Sequence, residues 1–169
     1  IEPYNVQVLN HKGFALYNLG KYNLAITYFE EALSVQPDYI RAINNKGITL
    51  ASLGSYQTAL QYFDEALGIN PTYLKAIFNK GLTHYYMGNY EKSIEFYDKA
   101  LELMPERNDI VHHKKYAAAA MQFSDVSEND LIYPDWFANN IHWWYNKEIT
   151  HKDFLNGIEH LVDSDLIKV

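Results

Sequence analysis

Two kinds of side chain in this sequence could do chemistry, histidines and amides set inside helical segments. His112 and His113 are adjacent, so they cannot share a helix face, and His142, His151 and His160 recur nine apart, outside the spacings at which two imidazoles close on one metal ion. Solvated or capping histidines account for all five. The chain carries no glycine-rich phosphate loop, no Gly-x-Ser-x-Gly and no His-Glu-x-x-His. It has no cysteine, which removes disulfides, thiolate nucleophiles and cysteine-ligated metals. No catalysis, metal or cofactor is expected. Asn44, Asn45 and Asn79 sit in the interior of periodic segments, where asparagine forms helix poorly, so each calls for a bonding partner such as the backbone of a bound chain. Tyr17, Tyr85 and Tyr86 combine a ring with a hydroxyl, which suits a half-wet surface.

These residues are held by a 34-residue repeat. Gly13, Gly47 and Gly81 recur at that offset, as do Pro3, Pro37, Pro71 and Pro105, and Tyr22, Tyr56 and Tyr90. Such a period marks a helix-turn-helix unit that stacks on copies of itself. In the first unit, Val8, Leu9, Leu16 and Leu19 give one apolar face, Gly20 ends it, and a second helix runs to Pro37, whose ring cannot continue it. Gly13, Ala25 and Ala32 stand where the paired helices must approach closely. The predicted boundaries are a remnant of a preceding unit over 1–5, units over 6–39, 40–73 and 74–107, and a terminal helix over 108–123. Lys115 replaces the packing glycine in that last helix, as suits a helix facing solvent on one side.

The recurring NNKGITLASLGSYQTALQYFDEALGINP resembles the tetratricopeptide repeat family, in a prokaryotic subtype with N-K-G in the first helix. It departs from the family in having Leu9, Ile43 and Ile77 where tryptophan is common, and Leu16, Leu50 and His84 where tyrosine is. The resemblance implies an all-α, right-handed superhelical solenoid of three repeats plus a terminal helix, used as a non-enzymatic scaffold for a protein or peptide partner. It also implies which positions line the groove. These are Gln7, Asn10, His11, Phe14, Tyr17 and Asn18 in the first unit, and Arg41, Asn44, Asn45, Ile48, Ala51 and Ser52 in the second. In the third they are Lys75, Phe78, Asn79, Leu82, Tyr85 and Tyr86, with His112 and His113 from the last helix. Amides, two cations and aromatics together suit an extended peptide, whose backbone seeks polar partners while its side chains seek apolar pockets. Phe14, Ile48 and Leu82 are equally accounted for by packing between units, and the asparagines by a habit of the subtype. The carboxylate clamp that some family members use on chaperone tails is matched by Asn45 and Lys75 but not by Asn10, Phe14 and Asn79, so chaperone-tail binding is not expected.

The formal charge of −7 argues against nucleic-acid binding, which needs a cationic surface. Residues 1–123 carry 11 Lys/Arg against 12 Asp/Glu and residues 124–169 carry 3 against 9, so the acidity belongs to the tail. No apolar run nears the roughly 18 residues that cross a bilayer, so the chain reads as soluble. It opens at Ile1 without methionine, from which a removed leader or further upstream sequence is expected; the compartment stays open. An upstream repeat, if cut away, would leave the first helix with an exposed apolar face prone to self-association.

Residues 124–133 read as a polar linker, and 134–169 as a small helical module holding all three tryptophans. Trp136, Phe137, Ile141 and Trp144 give one short helix after Pro134; Thr150 and Asp153 approximate a capping box for another, with Phe154, Ile158, Leu161 and Val162 as its stripe. Pro134, Trp136, Trp143, Trp144, Asp153, Phe154, Gly157 and Ile158 resemble a short module recurring in archaeal proteins of ammonia-oxidising lineages. Three arrangements are open to this block: a mini-core of its own, a cap on the last helix, or an acidic plug near Arg41 and Lys75 in the groove of the same or a neighbouring chain. Self-association through it is the rival to peptide binding, and the surrounding acidic residues disfavour a membrane role for its tryptophans.

Overall fold

A computed structural model describes residues 5–124 and 150–164, and every element in it is an α-helix. The helices are α1 (Val6–Asn18), α2 (Tyr22–Val35), α3 (Ile40–Ser52), α4 (Tyr56–Ile69), α5 (Leu74–Tyr86), α6 (Tyr90–Leu103), α7 (Asn108–Ser124) and α8 (His151–Asp163). Ser124 ends α7 instead of opening a linker. The tryptophan segment and its predicted helix lie outside the described residues, as do Ile1 to Tyr4. The molecule divides into two compact units between Thr83 and His84, within α5.

In the first unit α1 packs on α2, α2 on α3 and α3 on α4. Each pair closes on a glycine set against a ring. A β-carbon at Gly13 would stand 2.6 Å from Phe29 Cε1, and one at Gly47 2.6 Å from Phe63 Cε1, so a bare backbone is what lets these fully buried rings press against the facing helix. Ala25, Ala32, Ala59 and Ala66, all without exposed surface, keep the other helix of each pair equally close. Leu9 and Ala42 complete one core around Phe29, and Ile43 and Ala76 the next around Phe63. The apolar face of α1 is narrower than its sequence pattern implies. Leu9 and Gly13 are buried and Leu16 half-buried, but Val8 lies off that stripe and Leu19 is the C-cap beyond the last turn, so both are exposed.

The turns repeat as faithfully as the cores. Gly20 takes φ of 70° just past α1, its N–H donating to Tyr17 O at 2.9 Å while Lys21 N–H donates to Leu16 O at 2.9 Å. Gly54 repeats this in the first unit and Gly88 in the second, at φ of 78° and 77°. The motif ends a helix by feeding its last free carbonyls, and the left-handed residue in it costs glycine nothing.

The second unit holds the end of α5 with α6, α7 and α8. Tyr97 and Ala100 on α6 and Ile110 and Ala117 on α7 are buried. Lys115, at the glycine position, is exposed. Helix α8 starts with a complete capping box: the Thr150 hydroxyl accepts from the Asp153 N–H and the Asp153 carboxylate accepts from the Thr150 N–H. It buries Phe154, Leu155, Ile158 and Leu161, a stripe that includes Leu155 where the sequence pattern suggested Val162, which is half-buried.

Candidate peptide-binding face

The N-K-G triplet explains itself once the helices are in place. In the second repeat, Asn45 Nδ2 donates to Asn10 Oδ1 at 2.9 Å; in the third, Asn79 Nδ2 donates to Asn44 Oδ1 at 3.1 Å. The lysine next along reaches the other way. Lys46 Nζ lies 2.8 Å from Glu30 and 4.6 Å from the centre of the Tyr62 ring, Lys80 pairs with Asp64, and Lys12 sits 4.2 Å over Tyr28. Burial pulls the Lys46 ammonium down, but the hydrogen bonds it donates to Glu30 and to the Tyr62 hydroxyl outweigh that and hold it above its ordinary value. The second and third repeats are each fastened to the one before by a hydrogen bond between asparagine amides and by an ion pair.

This geometry corrects part of the groove expected from sequence. Asn10 is 4% exposed and Asn44 1%, because their side-chain carbonyls are engaged by Asn45 and Asn79; they join repeats and do not face outward. The pairing residues Asn45 and Asn79 are half-buried, each with one amide N–H committed. Tyr17 is likewise half-buried and bridges α1 to α3 through its hydroxyl, 3.2 Å from Ser52 Oγ, while its ring stacks at 6.3 Å with Phe14. Phe14 is 46% exposed, so it does not pack between repeats. Arg41 and Lys75 are exposed, and Ile48, Phe78 and Leu82 are half-buried. None of the groove positions of this unit is acidic.

In the second unit Tyr85 is 1% exposed, against the half-wet placement expected of it, whereas Tyr86 and His112 are exposed. Burial, then the carboxylate of Glu159 on α8, pushes the Tyr85 phenol far above the ordinary range. Glu159 itself is raised, by burial first and by Asp163, with His113 and Tyr85 acting in the opposite sense. Tyr116 donates to Asp163 Oδ1 at 2.8 Å, and burial together with that bond raises its phenol to about 12. Thus α8 lies over Tyr85, His113 and Tyr116; a tail packed on the last helix is among the arrangements open from sequence, which does not name the side chains it meets. Among the described residues, no group of three or more His, Asp or Glu side chains could hold a metal ion, and no helix is long and apolar enough to cross a membrane.

Sequence models of the tetratricopeptide repeat match residues 4–72 and 74–107. The chain belongs to the tetratricopeptide repeat family. Solved structures agree. The tetratricopeptide repeat (TPR) domain of Sgt2 from Aspergillus fumigatus is 20% identical with a TM-score of 0.68, over 76% of this chain and 87% of that one. The first TPR of Spaghetti (RPAP3), bound to the HSP90 peptide SRMEEVD, is 21% identical with a TM-score of 0.66, over 72% of this chain and 99% of that one. YrrB, described as a TPR protein with an unusual peptide-binding site, is 30% identical with a TM-score of 0.61, over 66% of this chain and 57% of that one. Comparison with curated protein sequences gives no significant match.

Proposed function

We propose that this TPR chain is a non-enzymatic interaction scaffold whose first unit holds a peptide or helical segment of a partner protein against α1, α3 and the start of α5. The observation that carries the reading is a division of labour among the groove positions. Asn10 and Asn44 are spent on joining repeats, while Phe14, Arg41 and Lys75 are left exposed beside half-buried Ile48 and Leu82. Apolar contacts backed by fixed helices, with two cations and no carboxylate among them, suit a ligand with apolar side chains and a negative group. The peptide in the Spaghetti complex and the peptide-binding site ascribed to YrrB are consistent with such a use of the fold.

A phage-displayed dodecapeptide library panned on the immobilised full chain tests this. Recovered peptides should lose roughly tenfold or more in affinity to the triple variant Phe14→Ala, Arg41→Glu, Lys75→Glu, whose changes are all at the surface and leave the fold intact. Equal binding to wild type and variant would reject the assignment. Self-association is the second reading, favoured by Val8 and Phe14 standing exposed on α1. A mass by light scattering that rises with concentration and returns to the monomer on Val8→Lys would support it.

A further inference from the structure

The residues that α8 touches are not scattered. Tyr85 occupies the groove position on α5 that Tyr17 occupies on α1, and His113 and Tyr116 occupy on α7 the positions that Asn45 and Ile48 occupy on α3 and Asn79 and Leu82 occupy on α5. Ala119 and Ala120, the next groove positions of α7, have no exposed surface. In the first unit the corresponding positions are half-open or exposed at Tyr17, Ala51 and Ser52. Against α7 packs a 13-residue amphipathic helix with its own capping box, α8, whose Phe154, Ile158 and Leu161 are buried at successive turns. Its polar edge is fitted as well: Asp163 takes the Tyr116 hydroxyl at 2.8 Å, and Glu159 lies in the field of His113.

We propose that this face of the second unit is a helix-binding site and that α8 is its intramolecular occupant, a displaceable plug. The external ligand it admits is an amphipathic helix with large apolar residues at i, i+1, i+4 and i+7 and carboxylates at i+5 and i+9, the spacing of Phe154, Leu155, Ile158, Leu161, Glu159 and Asp163. Capture of such a helix requires α8 to leave, so the apparent affinity is reduced by the fraction of molecules in which α8 is bound. None of these residues belongs to the face of the first unit, so the two assignments stand or fall separately.

The probe is a fluorescein-labelled peptide of residues 150–164, acetylated and amidated, titrated with full-length chain in fluorescence anisotropy. Ile158→Asp in the chain places a charge in the buried stripe and should free the site, raising probe affinity roughly 10- to 100-fold over wild type. Gly157→Ala works in the other direction without a fold risk, since a β-carbon there meets nothing within 4 Å and alanine strengthens a helix interior; it should weaken the probe roughly threefold to fivefold. A probe carrying the same Ile158→Asp change should not bind any chain. Unchanged affinity in both variants would overturn the proposal. So would circular dichroism showing that Ile158→Asp melts more helix than α8 contains, because α8 would then be part of the core. A dimer of the wild-type chain that Ile158→Asp returns to monomer would assign the helix to a second copy and overturn the intramolecular plug.

Discussion

Alanine placed at two glycines one helix apart should change stability in opposite directions. Gly47 lies inside α3, where alanine gains about 1 kcal/mol of helix propensity. Against this, its β-carbon would meet Phe63 Cε1 at 2.6 Å, Cδ1 at 3.0 Å and Cζ at 3.1 Å, where carbon atoms rest near 3.5–4.0 Å. Phe63 has no exposed surface, and Ala59 and Ala66 hold its helix close, so the ring cannot swing clear without moving α3 from α4. Overpacking of this kind costs about 1–3 kcal/mol, and with a ring this confined the cost falls toward the upper end, so after the propensity gain of about 1 kcal/mol a net loss of up to about 2 kcal/mol is expected for Gly47→Ala. Gly68, near the end of α4, has nothing within 4 Å of its virtual β-carbon, so Gly68→Ala keeps the gain alone and should stabilise by about 0.5–1 kcal/mol. Urea denaturation followed by far-UV circular dichroism reads both as midpoint shifts. Adding Phe63→Leu to Gly47→Ala should recover part of the loss, a coupling that a double-mutant cycle isolates. A Gly47→Ala chain as stable as wild type would refute the claim that ring and backbone are in forced contact.

Further outcomes follow from the polar joints and from α8. Asn44→Ala removes a buried acceptor and strands the Asn79 amide, costing about 1–3 kcal/mol in urea denaturation, whereas Asn79→Ala, at the half-buried end, should cost less. Glu159 binds its proton more tightly in the folded chain than in the unfolded one, so the folded state gains relative stability below the ordinary glutamate pKa and loses it as pH rises through the raised value. Hydrogen exchange of α8 amides, corrected for intrinsic rate, should accordingly be slower near pH 4.5 than near pH 7, and Glu159→Gln should flatten the difference. Asp153 acts with the opposite sign: the Thr150 bonds hold its pKa below the usual value, so its cap is intact above that value and lost on stronger acidification. Helicity of α8 measured in acid strong enough to protonate Asp153 should therefore differ little between the Asp153→Asn chain and wild type.

Much of this architecture could be read from spacing, because a fixed period imposes the same environment on each copy. Gly13, Gly47, Phe29 and Phe63 announce helix contact by type alone, and Thr150 with Asp153 announces a cap because both partners are local. The asparagines misled for the opposite reason. Asn44 bonds to Asn79, 35 residues on, so whether it faces a ligand or a neighbour depends on how adjacent repeats are rotated, which composition does not encode. The lysines show the same limit, although Lys12, Lys46, Lys80 and Lys114 at a 34-residue interval, with Glu30, Asp64 and Asp98 each 16 residues before the next lysine, were a visible signal. Tyr85 was misplaced because a distant segment covers it, and an amphipathic stripe does not name the surface that receives it.

The joints of the first unit also have a direction. Asn45 and Lys46 give to the repeat before them, and the second repeat in turn offers Asn44 and Asp64 to Asn79 and Lys80. The second repeat thus carries donors on its upstream edge and acceptors on its downstream edge, like the couplings of a railway carriage. A duplicated copy of residues 40–73 spliced in after Tyr73 would find matching fittings at both ends, so arrays of this sequence can lengthen by gene duplication without redesign of any seam.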